Sequence, residues 1–399
     1  MSSVYDYIVI GSGLSGLAIA SRLSQETERV LLLDSADIAG GWLRKPNLAA
    51  VPVSRNAEKG LLFLEDLTGI KIMGEVQEIP PVTFEDGGLK TFIGFGEKTP
   101  DFYDEMAYYC SSQYYELKAS PAIWIQRLLE NFKGTFAPRS IVTKFVVEND
   151  HVQHVLVNGT KKIQAHNFIY CGEVKSLNRL IPSDFISNKV QTRISKTKTW
   201  TRAALQIDHE AVVTENPAFH ILIGTSQEEI VTCVGQFQGT TSTWMTFVSD
   251  EEAEDAEIVG LALKRIKRQI KRAYPDSLNE KTLERISVQP QFGGGFELKL
   301  NANQSWPQLE NLWIGSGTIQ KARNIVGALN QAQMVLSALG FVTTDLEIDH
   351  STPVENENDD LEKPFTAEAA AEEASLSEET KPAKKSRKKK SKAEPEAEA

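Results

Sequence analysis

A chain of 399 residues, 41% of them hydrophobic, is long enough to bury a large core, as two domains or one composite α/β unit. Its net charge of −11 argues against broad electrostatic binding to nucleic acid or anionic membrane. Cys110, Cys171 and Cys233 are far apart and form no CxxC pair, which disfavours a disulfide framework or a zinc site and suits a reducing compartment.

The elements follow in chain order. No basic segment and long apolar run open the chain, so no signal peptide is expected. Tyr7–Ile10 reads as a buried strand, Leu14–Leu23 as a helix of small and apolar residues, and Arg29–Leu33 as a second strand. A less regular region runs to about Ser120, with the glycines Gly87, Gly88, Gly94 and Gly96 and the aromatic residues Tyr103, Tyr108, Tyr109, Tyr114 and Tyr115. Pro121–Phe132 has helical spacing with proline in its first turn. Ile141–Glu148, His151–Val157 and Lys161–Tyr170 read as strands joined into hairpins by Asn149-Asp150 and Asn158-Gly159. Alternation in Ala203–Ile207, Phe219–Ile223 and Ile230–Gly235 makes the next stretch β-rich, and an amphipathic helix spans roughly Glu251–Ala273. Asn311–Gly315 is a last buried strand and Asn324–Leu339 a last helix. Nowhere does the chain approach the roughly 18 uncharged apolar residues of a membrane-spanning helix, so a cytoplasmic protein is expected.

Composition changes near Thr343. Residues 343–399 are rich in Pro, Glu, Ala, Ser and Lys, and a segment with so few large apolar residues is expected to be a disordered charged tail. Its acidic stretch Glu355–Glu379 precedes the basic block Lys384–Lys392. That block reads first as a solvated tail, and otherwise as an arm for RNA, DNA or anionic lipid that the flanking acids weaken.

The chemistry-bearing motif is Gly11-Ser12-Gly13-Leu14-Ser15-Gly16, a GxGxxG loop between a buried strand and a helix. The first glycine permits the tight turn, the second admits a pyrophosphate, and the third lets helix and strand pack closely. Asp34, followed by Ser35, ends the second strand where an acid hydrogen-bonds a ribose hydroxyl. This motif serves NAD and FAD alike. No Gly-x-Ser-x-Gly, HExxH or His/Asp/Glu cluster occurs, so neither a serine hydrolase nor a metal site is expected.

With Gly40-Gly41-Trp42-Leu43-Arg44 beyond the acid, the strand from Ile141, and the closing Asn311–Gly317 and Val326-Gly327-Ala328, the sequence resembles the flavin-dependent amine oxidase superfamily, which includes protoporphyrinogen oxidases and phytoene desaturases. The resemblance covers roughly residues 5–340 in order. It implies non-covalent FAD, since no cysteine lies near the closing motif. It implies contacts from Gly41, Trp42 and Arg44 near the flavin phosphates, Trp42 standing where arginine is usual and Arg44 taking over its work. It further implies contacts from Val142 at the adenine, from Cys171 and Gly172 beside the dinucleotide, and from Gly317, Val326, Gly327 and Ala328 at the ring end. Ser316 stands where the family has an acidic residue, and the tyrosine cage that holds an amine in some members has no counterpart.

The expected architecture is α/β: a discontinuous Rossmann-type FAD-binding domain (1–85, 120–180, 290–342), an inserted β-rich substrate domain (86–119, 181–289) and the tail. The expected activity is hydride transfer from a C–N or C–C bond of a small organic substrate to flavin N5. Lys321 and Arg323 near the ring end favour an anionic substrate. No side chain is assigned as catalytic acid or base, because the cofactor carries such reactions. Lys196 and Lys198 read as part of a solvated charged strand, His209 and His220 as surface or packing residues, and Trp200 and Trp244 as either pocket lining or core. Two alternatives stay open: an NAD(P)-dependent dehydrogenase, and a non-catalytic protein that holds FAD and acts through its tail.

Overall fold

The computed structural model describes residues 4–224, 232–279, 281–293, 298–317 and 324–341. Two large sheets carry the architecture. In the first, parallel strands run in the order Thr135–Ala137, Val30–Leu33, Tyr5–Ile10, Lys161–Tyr170 and Leu309–Ile314, and Ser305–Trp306 adds an antiparallel edge. Alternation sorts its side chains between two cores. Val9, Val30, Leu32 and Ile169 face one side, against helices Leu14–Leu23, Arg55–Thr68, Pro121–Asn131 and Ile325–Ala338. Ile8, Ile10, Leu31, Leu33, Phe168 and Ile314 face the other, against the hairpin Val142–Glu148/His151–Val157 and the short helix Leu177–Leu180. Burial on both faces is why these strands read as continuous apolar runs.

The predicted hairpin turns form for the expected reason. Asn149, Asp150, Asn158 and Gly159 all take positive φ (51°, 60°, 51° and 83°), the conformation that tight hairpins demand.

The second sheet is mostly antiparallel, in the order Lys281–Gly293, Trp200–His209, Thr241–Ser249, Cys233–Gln238, His220–Leu222, Val82–Glu85 and Gly88–Thr91. One face (Ala203, Leu205, Ile207, Trp244) packs on helix Ala256–Ala273 through Val259, Leu263, Ile266 and Ile270. The other (Trp200, Ala204, Met245, Phe247) packs on Leu48, Ala50, Phe102, Met106 and Tyr109.

Several segments differ from the sequence expectation, among them the strand Lys281–Gly293, which it did not include. The region before Ser120 holds a regular helix, Arg55–Thr68, whose Ala57 N–H donates to Ser54 Oγ at 3.1 Å and which ends at Gly69 with φ +68°. Arg193–Lys196 lies in the helix Asn188–Lys196, not in a strand, started by Ser187. The charged tail 343–399 lies outside the described residues. Among the described residues no helix is long and apolar enough to cross a membrane.

Candidate dinucleotide-binding site

The glycine loop sits where the opening strand ends and helix Leu14–Leu23 begins, and each glycine answers a different steric demand. Gly11 turns the chain with φ +104°, and a Cβ there would stand 3.1 Å from the Cys171 carbonyl. A Cβ on Gly16 would lie 1.9 Å from the Gly11 oxygen, so only glycine lets the helix seat this closely. A Cβ on Gly13 would meet nothing within 4 Å. Gly13 is also the N-cap of the helix, with no side-chain cap and no acid in the first turn. Uncapped amides at the positive end of a helix dipole, beneath open space, are what an anionic group requires.

Asp34 is held beside this loop. Its Oδ2 accepts from both the Ser12 N–H and the Ser12 hydroxyl at 2.5 Å, and its Oδ1 accepts from the Ala36 N–H at 2.7 Å. Ser35 is exposed next to it. Ser140 N–H donates to the Asp34 carbonyl at 2.7 Å, and Arg139 N–H to Ala36 at 2.9 Å, which brings the strand opening at Val142 alongside the acid.

The Gly40-Gly41 pair closes over the loop. Gly40 N–H donates to the Ser12 carbonyl at 2.8 Å. Both glycines have positive φ (114° and 53°), and a Cβ on Gly41 would come within 3.3 Å of Gly13 Cα. The turn Gly41–Arg44 buries Leu43 and leaves Trp42 half-buried. Arg44 is exposed and turns its Nε back to the Ala39 carbonyl.

The remaining segments arrive from far along the chain. Cys171 N–H donates to Ile10 O, and Gly315 N–H to Tyr170 O, both at 2.8 Å. Ser15 Oγ donates to Gly315 O at 2.6 Å. Burial pushes the Cys171 thiol up to about 12, which keeps it in the neutral form. Gly317 faces the start of the closing helix, its Cβ position 3.5 Å from Ala328 Cα. Val326, Gly327 and Ala328 form that helix's first turn, where Asn324 Oδ1 accepts from Gly327 N–H at 2.8 Å. Gly11–Gly16, Asp34, Gly41, Cys171–Gly172 and Gly317 thus gather where the parallel strands end, the position at which such sheets hold ligands. Lys321 and Arg323 lie outside the described residues.

Other candidates resolve into packing. His209 is buried between Ser242 Oγ (2.8 Å) and the Ser277 carbonyl (3.0 Å), and His220 reaches the Tyr274 hydroxyl at 2.6 Å, so neither is at the surface. Lys198 pairs with exposed Asp101 at 3.1 Å, and Lys196 is exposed. Trp200 and Trp244 belong to cores on opposite faces of the β-rich sheet. Among the described residues no cluster of three or more His, Cys, Asp or Glu side chains could hold a metal ion.

Sequence patterning did not single out Arg202. It lies within the apolar-looking strand Trp200–His209, fully buried, and its Nη2 donates to the Pro46 carbonyl at 3.1 Å. Its guanidinium carbon stands 5.9 Å from the centre of the Trp42 ring. The only available sign was an arginine inside a run that otherwise alternates as a buried strand.

Comparison with known proteins agrees with this geometry. The family model described as an NAD(P)-binding Rossmann-like domain matches residues 9–60, which hold the glycine loop, Asp34 and Gly40-Gly41. No curated protein matches the sequence. Among solved structures, an oxidoreductase from Methanosarcina mazei has a TM-score of 0.61 at 12% identity, over 83% of this chain and 100% of that chain. Cyclohexylamine oxidase from Brevibacterium oxydans gives 0.59 at 11% identity, over 84% and 99%. Reduced UDP-galactopyranose mutase gives 0.58 at 10% identity, over 85% and 96%. The chain therefore has the fold of this group of oxidoreductases and their structural kin, the fold that its resemblance to the flavin-dependent amine oxidase superfamily implied. Proteins named for an oxidation and for a mutase reaction share it, so the reaction must be argued from the site.

Proposed function

We propose that the protein is an FAD-dependent oxidoreductase that binds its cofactor non-covalently at the glycine loop. One observation carries the reading: open space above Gly13, at the uncapped N-terminus of Leu14–Leu23, with Gly41 close on the other side. Gly11–Gly16 would hold the pyrophosphate, Asp34 and Ser35 the ribose, and Val142 the adenine side. Gly41, Trp42 and Arg44 would meet the flavin phosphates. Cys171, Gly172, Gly317 and Val326–Ala328 would line the rest, where the dipole of the closing helix suits negative charge. When bound, FAD supplies hydride acceptance at N5, from a C–N or C–C bond of a small organic substrate.

The protein's own part is to bind and orient. We assign the cofactor-binding role to residues 1–85, 120–180 and 290–342, and the substrate role to 86–119 and 181–289, although Val82–Glu85 and the end of Lys281–Gly293 belong to the β-rich sheet. An anionic substrate suits Lys321 and Arg323, and Arg323→Ala should slow flavin reduction by such substrates; an unchanged rate for every candidate would remove that assignment. A cytoplasmic setting suits the free thiols of Cys110, Cys171 and Cys233.

The absorption spectrum of the purified protein, with identification of the released cofactor, tests the reading. Oxidised-flavin bands and released FAD are expected. A colourless protein that binds a nicotinamide dinucleotide would favour the second reading, an NAD(P)-dependent dehydrogenase, which the description of the matching family model supports.

A further inference from the structure

Among the described residues, Arg202 is the only Lys, Arg, Asp or Glu that is buried. It rises from the β-rich sheet to the segment that closes the glycine loop: Nη2 to the Pro46 carbonyl at 3.1 Å, and the guanidinium facing the Trp42 ring. Trp42 follows Gly41, whose backbone abuts Gly13. A cation thus stands behind the wall of the candidate dinucleotide site, touching it at the Pro46 carbonyl and the Trp42 ring. Burial lowers its pKa to about 10, partly offset by nearby Tyr109, which leaves the group charged at neutral pH. Mobile ions screen a buried charge far less than an exposed one.

We propose that Arg202 is a positioning residue that fixes the Gly41–Pro46 segment, and that its buried charge raises the reduction potential of FAD held against that segment. The inference rests on the FAD reading. Reduction adds electron density to the flavin, and a fixed cation in poorly screening surroundings favours the electron-rich state. The same guanidinium does the mechanical work, since its planar face and several donors can engage a ring and a carbonyl at once.

Charge and mechanics are separable with two variants, Arg202→Lys and Arg202→Met, each loaded with FAD and titrated by spectroelectrochemistry against pH. Arg202→Met should lower the midpoint potential by about 30 mV or more, equivalent to about a tenfold loss of preference for the reduced state of a two-electron couple. Arg202→Lys should match the wild type at low pH. Its potential should then fall towards that of Arg202→Met as the desolvated ammonium loses its proton, a break the wild-type arginine lacks. Equal potentials for all three proteins across pH would overturn the electrostatic role. Should Arg202→Met fail to fold, the lysine variant decides alone: a pH break absent from the wild type supports the proposal, and a parallel line overturns it. A wild-type protein that holds no FAD overturns both this inference and the reading beneath it, and is recognised before any variant is made.

Discussion

Ser12 and Asp34 are bound twice over: the backbone N–H and the hydroxyl of Ser12 both donate to Oδ2 of Asp34, each at 2.5 Å. Because Oδ1 accepts from Ala36 N–H, both carboxylate oxygens face protein donors. Asp34→Asn must therefore point an N–H at another donor, whichever way the amide turns. A loss of about 2 kcal/mol in urea unfolding is expected, with a reduced FAD content. Unchanged stability and loading would mean that this carboxylate does not organise the loop.

Two glycines of the same loop should fail differently. Gly16→Ala drives a methyl into the Gly11 carbonyl and should cost about 3 kcal/mol of stability with or without cofactor. Gly13 has φ −66° and ψ 179°, which alanine adopts readily, and its Cβ would meet nothing. Gly13→Ala should leave the stability of the cofactor-free protein within about 1 kcal/mol of wild type while weakening FAD binding about tenfold or more. Calorimetric melting and fluorescence titration check the two halves. A Gly13→Ala protein that binds FAD normally would remove the pyrophosphate from this place.

Burial pushes the His220 imidazole down to about 4, and His209 and His154 are lowered by the same cause. The folded value lies below the ordinary value of about 6.5, so the neutral ring contributes stability that is complete above that pH. As pH falls towards 4 the unfolded chain takes up the proton first, and the contribution is lost. Urea midpoints should drop between about pH 7 and about pH 4.5, with His220 accounting for up to about 3 kcal/mol. In His220→Gln the slope should flatten; an identical slope would assign the effect to other groups.

Asn311 staples the closing strand of the parallel sheet to its neighbours. Its Oδ1 accepts from Val152 N–H at 2.9 Å, while Nδ2 donates to the Val152 and His166 carbonyls at 2.9 and 3.0 Å. Asn311→Leu leaves backbone groups unsatisfied in a buried place and should cost about 3 kcal/mol in denaturant unfolding. A cost below about 0.5 kcal/mol would mean that water replaces the amide.

What the sequence made legible was local. The glycine loop and the Asn158-Gly159 turn each declare a backbone conformation through residue type, and helix Leu14–Leu23 has the expected bounds. The helix Arg55–Thr68 escaped notice although Ser54, Gly69 and the spacing of Ala57, Leu61, Leu64 and Thr68 were available to mark it. Long-range pairing was beyond local pattern: nothing near Val82 declares His220 as its partner. Arg202 illustrates the same limit at the candidate site, because its significance lies in Pro46 and Trp42, which meet it only once the chain has folded.

The hydrogen bond from Ser15 to Gly315 spans 300 positions. Synthesised 300 positions before its partner, Ser15 has neither that acceptor nor the strand Leu309–Ile314 until that strand has left the ribosome. A nascent chain stopped before this strand would leave Phe168, Ile169 and Tyr170 on an unpaired sheet edge, a template for aggregation. The glycine loop therefore reaches its final form late in biogenesis, although it is made long before the strand that completes it.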